Sequence, residues 1–151
     1  MPNFEDILDK PIADIEKPKP KPAGSYLGVI AGLPKFAKVG QDEMDVVDFQ
    51  IRLMSAQSDV DQDALGEQPP ITEWAPVRHR IFVATEQGVW GLRQFLIHTL
   101  GFDEGSGQSI KQSLAETPGK QLIVKLSQRP YVNKQTGQPE ISTDVESTAH
   151  V

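Results

Sequence analysis

The chain has 151 residues, 38% of them hydrophobic, and a formal net charge of −6; this suits one domain with a tail and is too short for two well-buried cores. It contains no cysteine, which excludes disulfides, thiolate metal sites and cysteine nucleophiles. Its first residues lack the basic and apolar regions of a secretory signal, and its longest apolar stretch, Tyr26 to Leu33, is too short to span a bilayer, so a soluble cytoplasmic protein with no membrane contact is expected.

Residues 1–23 stand apart by composition. Phe4, Ile7 and Leu8 have helical spacing among the acids Glu5, Asp6, Asp9, Asp14 and Glu16, and the run Lys17-Pro18-Lys19-Pro20-Lys21-Pro22 follows. Proline at alternate positions removes backbone donors and fixes φ, so the run predicts extended, polyproline-like chain. This arm is either a solvated spacer or a short apolar–acidic peptide that docks on a partner or a neighbouring subunit.

From residue 24 to 151 the pattern predicts one domain of short strands. Ser25–Gly32 reads as a first strand, with Gly28 and Gly32 allowing a bend. Val46–Ala56 is the second, because Val47, Phe49, Ile51 and Leu53 alternate with Asp48, Gln50 and Arg52. A polar loop fills 57–76. Val77–Ala84 is the third strand, with Val77, His79, Ile81 and Val83 on one face and Arg78, Arg80 and Phe82 on the other.

Thr85 caps the clearest helix, whose stripe is Val89, Leu92, Leu96 and Leu100, widened by Phe95 and stopped by Gly101. Ser109 with Gln112 forms a capping box for a shorter helix carrying Ile110 and Leu114. Lys120–Gln128 is a fourth strand with Leu122, Val124 and Leu126 inward, residues 133–139 are a hairpin loop, and Ile141–Ser147 is the fifth strand. The expected fold is therefore mainly β with helices (α+β): a five-stranded OB-like Greek-key barrel with its helix between strands three and four. Another small α+β barrel or roll would have the same element count.

Several segments carry a resemblance. They are Phe4-Glu5-Asp6-Ile7-Leu8-Asp9, Glu16-Lys17-Pro18-Lys19-Pro20 leading into Gly24-Ser25-Tyr26-Leu27, and Val47-Asp48-Phe49. Gly88-Val89-Trp90, Pro118-Gly119-Lys120-Gln121 and the closing Glu146-Ser147-Thr148-Ala149 complete the set. Together they resemble a family of phage-encoded single-stranded-DNA-binding-like proteins across nearly the whole chain. The resemblance implies an OB-like fold and a place in phage DNA replication or recombination, inside the host cell. It brings no catalytic residues.

Binding single strands requires cations for phosphates and flat rings for bases. The candidates are Lys35, Phe36 and Lys38 after the first strand, Arg52 on the second, and Arg78, Arg80 and Phe82 on the third. Arg129, Tyr131 and Lys134 fall where the loop between the fourth and fifth strands should begin. In an OB barrel the second and third strands and two flanking loops make the binding face. Phe49 is expected in the core, Phe36 and Tyr131 in exposed loops, Trp90 between helix and barrel, and Trp74 at the barrel edge.

Other chemistry is poorly supplied. Asp59, Asp61 and Asp63 have the start of a calcium loop, but Ala64 and Pro70 occupy positions that need glycine and glutamate. His79, His98 and His150 lack metal-binding spacing, and Gly105-Ser106-Gly107 lacks the Lys-Ser/Thr of a phosphate loop. Neither an enzyme nor a cofactor is expected. The leading expectation is a single-stranded-DNA-binding protein without sequence preference, whose arm meets phage replication proteins. Its main rival is a phage structural or assembly protein, a homo-oligomer laced by the arm; a bare scaffold for a polymerase or nuclease is the third reading.

Overall fold

The computed structural model describes residues 20–151 together with Leu8 and Pro11; the helical spacing around Phe4 and Ile7, the arm's acids and the Lys-Pro run up to residue 19 lie outside the described residues. The strands are β1 (Gly24–Ile30), β2 (Lys35–Val39), β3 (Met44–Ala56), β4 (Val77–Phe82), β5 (Gln121–Val132) and β6 (Pro139–Ala149). They form a single six-stranded antiparallel sheet. The alternation read in the second strand places Val47, Phe49, Ile51 and Leu53 in the core, and this strand, β3, is the spine of the sheet. One of its edges pairs with β2 along residues 44–48 and with β1 along 51–56; the other pairs with β4 along 46–51. β1 continues the sheet to β5, and β5 to β6.

Two expectations change. The first strand is followed by an unexpected one: pairing stops at Ile30 and resumes at Lys35 on the same edge of β3, so Lys35–Val39 is strand rather than loop. The mainly β fold with helices is as expected, but in place of the five-stranded barrel stands an open sheet of six strands. β4 and β6 approach one another, but no ladder joins them among the described residues. The end of β6 is tied instead to Thr99, whose Oγ1 lies 3.5 Å from Thr148 Oγ1 and whose carbonyl oxygen lies 3.1 Å from His150 Nδ1. Within β1 the ladder to β3 shifts register between Leu27 and Gly28. A Cβ at Gly28 would lie 2.6 Å from Ile51 Cγ2, so the bulge closes only over glycine.

Among the described residues three α-helices pack on the core face: α1 (Gln62–Gly66), α2 (Glu86–Gln94) and α3 (Ile110–Ala115). Both predicted caps form, Thr85 Oγ1 accepting from the Gly88 N–H at 3.1 Å and Ser109 Oγ from the Gln112 N–H at 3.1 Å. α2 continues through a π-turn, Phe95–Thr99, in which the Leu100 N–H reaches the Phe95 carbonyl at 3.1 Å. Leu92, Phe95, Leu96 and Leu100 are buried, whereas Val89 is 41% exposed. Phe95 packs on Phe49 at 4.8 Å and on His79 at 5.0 Å between ring centroids. His79 is thus a core-facing side chain, and burial lowers its pKa.

Candidate nucleic-acid interface

Residues directly opposite in antiparallel strands project to the same face, so the registers define rows across β2, β3 and β4 on the side away from the core. Ala37, Val46 and Phe82 form one row; Lys35, Asp48 and Arg80 form the next; Gln50 and Arg78 form a third. Arg52 follows on β3, opposite Val29 of β1. Lys35, Arg52 and Arg78 are exposed and carry no ion pair among the described residues. Arg80 is committed locally, its Nε and Nη2 donating to the two carboxylate oxygens of Asp48 at 2.8 and 3.1 Å. Those hydrogen bonds hold the Asp48 carboxyl below the usual range, burial opposes them, and the charges of Arg80 and Arg78 add to the lowering.

The other candidates lie elsewhere. Phe36 and Lys38 stand opposite Val47 and Asp45, on the reverse face of the β2–β3 hairpin. Phe36 is 70% exposed, and Lys38 Nζ lies 2.9 Å from Asp45 Oδ1. Arg129 and Tyr131 are strand residues rather than loop residues. β1 stops pairing with β5 at Leu126, so residues 127–132 pair with β6 alone as a projecting hairpin. There Arg129 Nε is 3.3 Å from Asp144 Oδ2, and the Tyr131 hydroxyl donates to Glu140 Oε2 at 2.7 Å. That hydrogen bond chiefly raises the Tyr131 pKa. Lys134 is exposed in the turn that follows. The β2–β3 turn lies beyond the Ile30 end of β1 and the β5–β6 turn beyond its Gly24 end, so the two candidate loops sit at opposite ends of the sheet.

One exposed aromatic departs from its sequence reading. Trp90 is 57% exposed rather than packed between helix and sheet. The Arg93 guanidinium lies 4.6 Å from its ring centroid, and Arg93 also donates to Gln94 Oε1 at 3.0 Å and pairs with Glu104. Helical spacing could have revealed this, since Trp90 shares its face with the polar side chains three and four residues on, Arg93 and Gln94. Val89 and Ile110, each 41% exposed, flank it.

Two of the three aspartates of the 57–76 segment have structural partners. Asp59 accepts from the Ser25 N–H at 3.0 Å and the Ser25 hydroxyl at 2.9 Å, and these bonds lower its pKa. Asp61 caps α1 by accepting from the Asp63 N–H at 3.0 Å. No helix among the described residues is long and apolar enough to cross a membrane. In comparisons with known proteins, no family model and no curated protein matches the chain.

Proposed function

We propose that this chain is a phage-type single-stranded-DNA-binding protein, without sequence preference, that acts in replication or recombination on an OB-like sheet. The connectivity supports the fold reading. With β1 and β2 taken as one bent strand, the lateral order is β4-β3-β1-β5-β6 and a helix joins β4 to β5. That is the plan of a partly open five-stranded Greek-key barrel, with its seam between β4 and β6. The observation that carries the function is the placement of Lys35, Arg52 and Arg78 on one sheet face with Phe82, 45% exposed, at its edge. Such cations displace counterions from phosphates, and such a ring stacks on a base of any identity. The resemblance carried by the short sequence segments points the same way.

The test is an anisotropy titration of labelled oligo-dT at two salt concentrations. Three phosphate contacts at roughly 0.7 each give a log–log slope of about −2. Absence of binding at low salt removes the proposal. A second reading, a phage assembly protein, is favoured by one observation: the exposed apolar group Val89, Trp90 and Ile110. It requires a defined oligomer that Trp90→Ala disrupts, measured by sedimentation.

A further inference from the structure

The end of the Lys-Pro run is held by three side chains from separate parts of the fold. Gln68, just past α1, donates Nε2–H to the Pro20 carbonyl at 3.0 Å. Gln128 of β5 donates to the Lys21 carbonyl at 2.8 Å, and the Tyr26 hydroxyl of β1 donates to the Pro22 carbonyl at 2.7 Å. Proline has no N–H, so carbonyls are the polar handles such a segment offers, and here three in succession are taken. The lysine is read as well. Lys21 Nζ donates to the Ala75 carbonyl at 3.3 Å and lies 5.7 Å from the Trp74 ring centroid.

The seat is built rather than incidental. Tyr26 and Trp74 meet edge to face at 5.6 Å between centroids, and the indole N–H of Trp74 is fixed on the Pro69 carbonyl at 3.0 Å. Tyr26 is fully buried, Trp74 is 7% exposed and Pro22 is buried between the parts. Aromatic walls with donors aimed at carbonyls are the general means of gripping proline-rich peptide. The chain carries this two-residue unit three times in succession, at 17–18, 19–20 and 21–22.

We propose that the cleft formed by Tyr26, Gln68, Trp74 and Gln128 is a lysine–proline recognition site, filled by the chain's own Lys21-Pro22 and open by exchange to the Lys-Pro arm of a second copy. The repeated unit is the reason for the second-copy source, because every copy brings the ligand that every seat reads. This inference is independent of nucleic-acid binding.

The test uses the full chain with Lys17, Lys19 and Lys21 replaced by alanine, which removes the lysine from every unit of the run 17–22. A synthetic Lys-Pro-Lys-Pro-Lys-Pro peptide stands in for the arm of a second copy, and the indole resonance of Trp74 is followed by NMR, with Trp90→Phe assigning the other indole. The peptide should shift the Trp74 signal saturably, and an Ala-Pro-Ala-Pro-Ala-Pro peptide should bind about five- to tenfold more weakly, the worth of the lost cation–ring contact and its hydrogen bond. Equal affinity for the two peptides, or no shift at all, overturns the proposal. If the triple variant does not fold, amine acetylation of the unaltered chain decides. Lys21 should react several-fold more slowly than exposed Lys35, and excess Lys-Pro peptide should abolish the difference. Protection that saturating peptide leaves unchanged rules out exchange.

Discussion

Asp48 and Arg80 face each other across β3 and β4 and are joined by two nearly parallel hydrogen bonds, Nε to Oδ1 at 2.8 Å and Nη2 to Oδ2 at 3.1 Å. The pair places one carboxylate in the middle of a face on which Lys35, Arg52 and Arg78 stand without ion pairs among the described residues.

Asp48→Asn removes that negative charge and releases Arg80, so affinity for oligo-dT should rise about fivefold at low salt, the scale of one charge contact near water. Stability should move the other way. The Asp48 carboxyl is held low in the fold, first by the Arg80 hydrogen bonds, so its contribution is present above the unfolded carboxyl pKa and is lost as pH falls through the lowered one. The melting temperature of the parent chain should therefore fall on acidification below the ordinary carboxylate range, and Asp48→Asn should flatten that part of the curve. Tighter binding absent from the variant would mean that this face does not meet phosphate.

Aromatic substitutions divide by face. Phe82 shares its face with the cations, whereas Phe36 stands on the reverse side of the hairpin and Tyr131 is bonded to Glu140 on the distant one. Phe82→Ala should weaken oligo-dT binding by about 1–3 kcal/mol, the usual worth of one stacked base, while Phe36→Ala and Tyr131→Ala leave it unchanged. Phe49→Ala is the core control, since Phe49 is fully buried against Phe95; it should cost about 3–5 kcal/mol of folding stability. Melting curves and titrations on the four variants separate stacking from packing.

These separations also show which parts of the fold are legible from sequence. Val47, Phe49, Ile51 and Leu53 announce β3 because they alternate with the polar Asp48, Gln50 and Arg52, although Val46 and Asp48 on that other face are buried as well. Lys35–Val39 carries no such alternation: four of its five residues are exposed, so no apolar period marks it as a strand. The same holds for the far end of β5, where both faces of 128–132 are exposed and Pro130 argues against a strand that the hairpin nonetheless accommodates opposite Ile141. The π-turn is a third case. It adds a residue to the turn after α2, which a fixed helical period cannot register, while Phe95, Leu96 and Leu100 stay buried as the stripe predicts. The cationic rows needed the register of β2 against β3, and that register exists only once β2 is recognised.

The arm's attachment point fixes where the chain can be shortened. Pro22 accepts from the buried Tyr26 hydroxyl and Gln128 holds the Lys21 carbonyl, so a truncation that keeps residues 20–23 keeps both contacts. Removal of residues 1–23 leaves a buried hydroxyl without its acceptor, at a cost of about 1–3 kcal/mol. Alkaline titration gives an independent check. Burial pushes the Tyr26 phenol up to about 12, with the Asp59 charge adding to it, against about 10 in the unfolded chain. The folded state therefore retains a proton that the unfolded state releases, and stability should be intact below about pH 10 and fall as pH rises through the folded value. Tyr26→Phe should lack that alkaline loss, and a variant that retains it would assign the effect to another group.

Two glycines in α2 should respond in opposite directions to the same substitution. At Gly88 an added Cβ would sit 1.9 Å from the Phe82 carbonyl oxygen and 2.8 Å from its carbon, so the first turn of the helix lies directly on the end of β4. Neither atom belongs to a flexible side chain, and Gly88→Ala can be accommodated only by moving α2 off β4. That movement strains the Thr85 cap, whose Oγ1 accepts from the Gly88 N–H itself. Gly91, one turn later, has nothing within 4 Å of the corresponding position. There alanine meets no obstacle and exchanges a poor helix former for the best, a gain of roughly 0.5–1 kcal/mol. Thermal unfolding should place Gly91→Ala above the parent chain and Gly88→Ala below it, with the loss at Gly88 exceeding the gain at Gly91. Because Phe82 ends β4 at the edge of the cationic face, Gly88→Ala should also weaken oligo-dT binding, while Gly91→Ala leaves it intact. Equal melting temperatures for the two variants would show that the helix does not bear on β4 as described.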